Sequence, residues 1–155
     1  MRRPAYLLGL GAALILAGVF YRTTTPSTDQ PPPYATFGGV SLTLEIATST
    51  VMLERGLGGR TSLPKDHGML FVFDKSDRHG FWMKDMHIPI DMFWLDDKRQ
   101  VVFLVKDVYP ETYPTVFYPS TPARYVLETN RGFAEEHSIT VGTVLELKKL
   151  TTVSE

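Results

Sequence analysis

Ser41 to Ala47 reads SLTLEIA, with Leu42, Leu44 and Ile46 separated by polar residues. Alternation with a period of two predicts a strand with one buried face. Gly68 to Phe73 is apolar on both faces and predicts a central strand. The polar run Asp74 to Gly80 predicts a turn, after which Phe81 to Lys84 resumes a strand. Ile88-Pro89 breaks it, because proline has no N–H to give a ladder. Ile90 to Leu95 and Gln100 to Lys106 flank Asp96-Asp97-Lys98-Arg99, the pattern of a hairpin with a four-residue loop. Ala123 to Thr129 and Thr143 to Leu147 supply two further strands. Thr48 or Ser49 is placed to cap a short helix carrying Met52, Leu53 and Leu57, with Gly58-Gly59 ending it. Asn130 is placed to open a second over Arg131 to His137. The pattern predicts a mostly β, β-rich α+β domain: a compact barrel or sandwich of about seven short strands with one or two short helices.

This pattern begins only at about residue 38. Arg2 and Arg3 precede Pro4 to Tyr21, eighteen residues without a charge. At 1.5 Å rise they reach roughly 27 Å as a helix, enough to cross a hydrocarbon core. A transmembrane helix is therefore expected over 1–21, with its basic end cytoplasmic and the globular domain outside the cytoplasm, periplasmic or extracellular. A cleaved signal segment, which would leave the domain secreted, is the rival reading. A lipoprotein-type anchor is excluded, since the position a lipidated cysteine would occupy after Leu16-Ala17-Gly18 is Val19. Residues 22–37, rich in Thr, Ser and Pro, read as a linker reaching about 50 Å at about 3.1 Å per residue. The globular domain is expected over 38–150, with 151–155 a tail.

Apolar content of 43% and aromatic content of 12% are those of a globular chain and exclude a disordered or collagen-like one. The formal net charge is −1, with acids and bases interspersed, so no basic field for nucleic acid is present. Cysteine is absent, which excludes disulfides, thiolate catalysis and cysteine-ligated metal. No Walker, dinucleotide, G-x-S-x-G or H-E-x-x-H signature occurs.

Candidate chemistry gathers between Gly68 and Val105, which holds both tryptophans. Trp82, Lys84, Asp85 and His87 follow closely before Pro89. Asp91 sits among apolar residues, where a carboxylate needs hydrogen-bond or cationic partners. It is either a structural bracket or an acid with a shifted pKa. Met83, Met86 and His87, with Met69, His79 and Met92 near in sequence, offer thioether and imidazole groups of the kind that suit copper; the methionines are equally core fillers. Arg55 and Arg60 close the first helix favourably or grip an anion. Tyr109 to Pro122, with four prolines and four aromatics, predicts a long loop that either covers the sheet or closes a pocket.

The stretches GLGGRTSLPKDHGMLFVF from Gly56, FWMKDMHIPIDMFWLD from Phe81, VVFLV from Val101 and ARYVLETNRGFAEEHSITVG from Ala123 resemble, in this order, the domain of unknown function 192, also called uncharacterised protein family 0127. The resemblance spans about Gly39 to Leu147. It implies a compact mostly-β domain of bacterial and archaeal proteins, often exported, without an assigned activity. The polar residues on matching motif positions are Arg60, Lys84, Asp91 and Glu128. The chain departs from the family pattern at Gly58-Gly59, where G-L-M-x-R is usual, and at Asp85-Met86, where F-W-M-K-N-T is usual.

Three functions remain open on these residues, beside a purely structural or protein-partner role. One is an envelope-facing module for a carbohydrate or other small polar ligand, using Arg60, Trp82, Lys84, Asp85, His87, Asp91 and Glu128. The second is a copper-type Met/His site. The third is an acid/base hydrolase using Asp85, Asp91 or Glu128 with His87.

Overall fold

A computed structural model describes residues 33–148. The predicted anchor, most of the linker and the tail lie outside the described residues. Nine strands and two short α-helices follow in order: β1 (Tyr34–Phe37), β2 (Val40–Ala47), α1 (Thr50–Arg55), β3 (His67–Asp77), β4 (Phe81–Trp82), β5 (Ile90–Leu95), β6 (Val101–Val108), β7 (Val116–Phe117), β8 (Ala123–Asn130), α2 (Phe133–Glu136) and β9 (Glu146–Lys148). Among the described residues no helix is long and apolar enough to cross a membrane.

Seven strands form one sheet in the order β6-β5-β8-β3-β2-β1-β9, and β4 pairs with β7 in a separate two-stranded ribbon. All pairings are antiparallel except β2 with β3. The sheet is not a closed barrel. Its ends are nevertheless tied: the chain approaching β9 gives Gly142 N–H to the Val101 carbonyl at 2.8 Å and Leu145 N–H to the Arg99 carbonyl at 3.0 Å. Residues 142–145 thus strap the β5–β6 hairpin before β9 pairs with β1 at the far edge.

Because side chains alternate across a strand, the sheet carries two apolar layers. One contains Phe37, Leu42, Leu44, Leu70, Phe93, Leu95, Leu127 and Phe133. The other contains Met69, Phe71, Phe81, Met83, Met86, Ile90, Met92, Trp94 and Val126. β5 is buried along its whole length, so its alternate residues serve both layers. This is why it reads as a continuous apolar run rather than an alternating one.

Several local expectations change. Tyr34–Phe37, expected in the linker, is a strand in which Ala35 and Phe37 are buried. The polar turn expected from Asp74 is strand as far as Asp77, because an exposed sheet end needs no apolar residues. The strand expected over Phe81 to Lys84 stops at Trp82. Helix α1 is capped by Ser49, whose hydroxyl accepts the Met52 N–H at 3.4 Å, but it ends at Gly56 rather than at Gly58-Gly59. Asn130 does not open α2, whose cap is Gly132; its side-chain amide donates instead to the Leu63 and Pro64 carbonyls at 3.0 Å each. The closing strand begins at Glu146, not at Thr143.

Candidate functional site

A cleft of about 150 Å³ opens on the second apolar layer, between the end of α1, the sheet surface and the segment around β4. Its walls include Leu53, Arg55, Gly56, Phe71, Phe73, His79, Gly80, Phe81, Trp82, Lys84 and Met86, and Glu128 reaches it from β8.

Each wall has a local cause. Glu128 pairs across the sheet with Met69 on β3 and with Met92 on β5, so it shares their face and rises from the middle of the methionine-lined layer. Gly56 turns the chain away from α1 with φ 51° and ψ −134°, a conformation that favours glycine, while its N–H donates to the Met52 carbonyl at 2.9 Å. A Cβ at Gly56 would lie 3.1 Å from Phe71 Cζ and 3.7 Å from Glu128 Oε2. The missing side chain is what leaves room above the carboxyl.

The aromatic wall is built in sequence. The Phe71 and Phe81 rings meet edge to face at 4.8 Å. The Phe73 and His79 rings stack at 3.6 Å. Buried Trp94 donates its Nε1–H to the His79 carbonyl at 2.8 Å, fixing the segment that leads into β4. Tyr118 packs behind Gly80, where a Cβ would come within 2.6 Å of its ring. The Tyr109 to Pro122 loop therefore buttresses one wall through β7 and does not close the cleft, as the sequence allowed.

Glu128 is 4% exposed, and its Oε2 is buried without a hydrogen-bond partner among the described residues. Burial disfavours the charged form and pushes its pKa up to about 8, against a smaller opposing pull from Arg60. Arg60 does not neutralise it, because its two terminal nitrogens donate to Glu45 at 2.5 and 2.6 Å. That ion pair holds the Glu45 carboxyl below its usual range, chiefly through the hydrogen bonds from Arg60. At neutral pH Glu128 is thus mainly a neutral acid, able to donate its proton or, once ionised, to receive a cation.

The predicted site residues separate into groups. Trp82, half exposed, and Lys84 line the cleft with Glu128. Asp85 lies beside Lys84 in an adjoining recess with Glu54, Arg55, Gly58 and Gly59; its φ of 57° and its carbonyl, which accepts the Gly59 N–H at 2.8 Å, mark it as a turn residue. Arg60 is a structural partner of Glu45. His87 is exposed and lines none of the described clefts.

Asp91 lies on the opposite face of the sheet. It is fully buried, and its carboxylate accepts the Asp107 N–H at 2.9 Å and the Ala134 N–H at 2.8 Å. It is a bracket joining β6 to the start of α2, not a member of the cleft. An acid pair of Asp91 with Glu128 is excluded by the sheet between them. The Met83 side chain is packed in the core, while Met86 lines the cleft, which His87 does not reach. Among the described residues no three His, Asp or Glu side chains are disposed to hold a metal ion.

Gly56, Phe71 and Phe73 were not among the expected site residues, and His79, expected only beside a Met/His site, lines the cleft instead. Phe71 and Phe73 read as core, which they also are. The usable signal was the departure at Gly58-Gly59, which marks the turn beside the cleft.

Comparison with known proteins follows the domain limits. A Sinorhizobium meliloti structure, provisionally named a transcription regulator, superposes with a TM-score of 0.69 and 27% identity over 74% of this chain and 91% of its own. A Novosphingobium aromaticivorans structure of unknown function gives 0.68 and 29% over 74% and 83%. An uncharacterised family 0127 protein of Pyrococcus furiosus is 29% identical over 118 residues, covering 72% of this chain and 94% of that one. The profile of the domain of unknown function 192, described as "Uncharacterized ACR", matches residues 34–147, from the first residue of β1 into β9. The chain belongs to this family.

Proposed function

We propose that the Glu128 cleft is a binding site for a small polar ligand, most simply one sugar unit, on a domain that residues 4–21 tether at the outer side of a membrane. The observation that carries the reading is the unpartnered buried Oε2 of Glu128 at a cleft that also presents the half-exposed Trp82 and exposed Lys84. A buried polar group without a partner is costly, and native structures rarely retain one without a use. An indole face with one or two convergent polar groups is the arrangement that holds a sugar ring. The volume corresponds to about five waters at roughly 30 Å³ each, which suits one ring rather than a chain of them. The tether reading rests on the uncharged run Pro4 to Tyr21 behind Arg2 and Arg3.

Saturation-transfer NMR with glucose, N-acetylglucosamine and glucosamine tests the site. Transfer to at least one of them is expected, lost in Trp82→Ala. Absence of transfer to all three contradicts the reading. Protease accessibility of the domain in sealed cells against lysed ones tests the placement.

A further inference from the structure

The cleft has an uneven chemistry. Its walls carry the aromatic side chains Phe71, Phe73, Phe81 and Trp82, and the buried polar side chain among the lining residues is the carboxyl of Glu128. We propose that the ligand enters by a primary ammonium group, which binds Glu128 among the aromatic side chains of the cleft, so that the ligand class is an amino sugar or a comparable small amine. This rests on the reading that the cleft binds a small polar ligand, and narrows it.

Aromatic faces attract cations through their negative quadrupole. They give nothing comparable to a hydroxyl or a carboxylate. A buried carboxylate needs a cation or several donors, and the described residues supply neither. Arg60, whose charge acts on Glu128, donates to both oxygens of Glu45. Gly56, above the carboxyl, presents no side chain, and its N–H is committed to Met52. The remaining charged or titratable groups on the walls are Glu54 and Arg55 at the end of α1, His79 before β4 and Lys84 after it. Glu54, Arg55 and Lys84 are exposed and reach the mouth from the surface.

Proton accounting follows directly. Glu128 in the free protein carries its proton near neutrality. A ligand ammonium can pair only with the carboxylate, so binding transfers that proton to the buffer: R–NH3⁺ with Glu128–COOH gives the ion pair and H⁺. A neutral sugar, or a sugar acid accepting the Glu128 O–H, releases none.

The test is isothermal titration of the full chain at pH 6.5 with glucosamine, glucose, N-acetylglucosamine and glucuronate, in buffers of different ionisation enthalpy. Glucosamine is expected to bind best, with release of close to one proton per ligand. Glu128→Gln, which keeps the shape and neutrality of the free state, is expected to stay folded by circular dichroism and to lose at least about tenfold in glucosamine affinity, the loss of a charge-assisted contact worth about 1.4 kcal/mol or more. If glucose, N-acetylglucosamine or glucuronate binds as tightly as glucosamine, or glucosamine binds without proton release, the amine inference fails while the binding site stands. If none of the four binds, both fail. Undiminished glucosamine binding by Glu128→Gln also overturns the inference.

Discussion

Arg60 closes both terminal nitrogens of its guanidinium on Glu45, at 2.5 and 2.6 Å, and so leaves the neighbouring carboxyl of Glu128 without a counter-ion. This choice of partner sets the electrostatics of the cleft. Glu45→Gln should free Arg60 to turn toward Glu128 and lower the Glu128 pKa from about 8. The loss of the pair itself should cost no more than about 1 kcal/mol, since both side chains are about one-third exposed. Carboxyl NMR of the variant and urea unfolding check the two effects separately.

Glu128 should make stability fall as pH rises. Its carboxyl titrates near the ordinary value of about 4.5 when unfolded and near 8 when folded. Between those values the folded state holds the extra proton, so its contribution is fully present below about pH 4.5, declines through neutrality and levels off above about 8. At about 1.4 kcal/mol per pH unit the total decline is on the order of 3–5 kcal/mol. Glu45 acts in the other sense, its lowered pKa making stability fall below its ordinary range. Urea unfolding from pH 5 to 9 should show the decline in the wild type and a nearly flat profile in Glu128→Gln. A parallel decline in the variant would place its cause elsewhere.

Asp91 should matter to folding and not to the cleft. Asp91→Ala removes the acceptor of the Asp107 and Ala134 N–H groups and leaves two donors without it. A loss of about 3 kcal/mol or more is expected, with Asp91→Asn milder because one carbonyl oxygen remains. Thermal unfolding measures the loss. Ligand transfer to the folded fraction should be unchanged.

Gly56→Ala should damage both stability and the cleft. The positive φ alone makes a side chain unfavourable there, and the new methyl would crowd Phe71 at 3.1 Å. A cost of about 1–3 kcal/mol is expected, with weakened ligand transfer. Gly59→Ala is the comparison: its φ of 79° is also positive, but no atom lies within 4 Å of the added Cβ. It should share the backbone strain without narrowing the cleft.

The sequence reveals those elements whose burial is one-sided or complete. The β5–β6 hairpin is legible because Asp96 supplies its own turn chemistry, accepting the Lys98 and Gln100 N–H groups at 2.8 and 2.9 Å. β1 is not, because Tyr34–Phe37 follows three prolines and its role comes from pairing with β2 and β9, a long-range condition. The end of β3 is hidden for the same reason. Lys84 and Glu128 were identified on motif positions of the resemblance and Trp82 from its place before Pro89, but only the register of β8 with β3 and β5 separates Glu128 from Asp91. Two acids in apolar surroundings look alike until the sheet assigns one to each face. Phe71, Phe73 and Gly56 were hidden by an ambiguity of chemistry, since an aromatic wall and a core share composition.

The proposed amine site requires that Glu128 be a neutral acid without a partner in the free protein. Its most direct test is a 13C-NMR titration of the Glu128 side-chain carboxyl, assigned by its disappearance in Glu128→Gln, without and with saturating glucosamine. The account predicts a midpoint near 8 in the free protein, shifted downward when glucosamine is present. A midpoint in the ordinary carboxylate range, or one near 8 that glucosamine does not move, would contradict it.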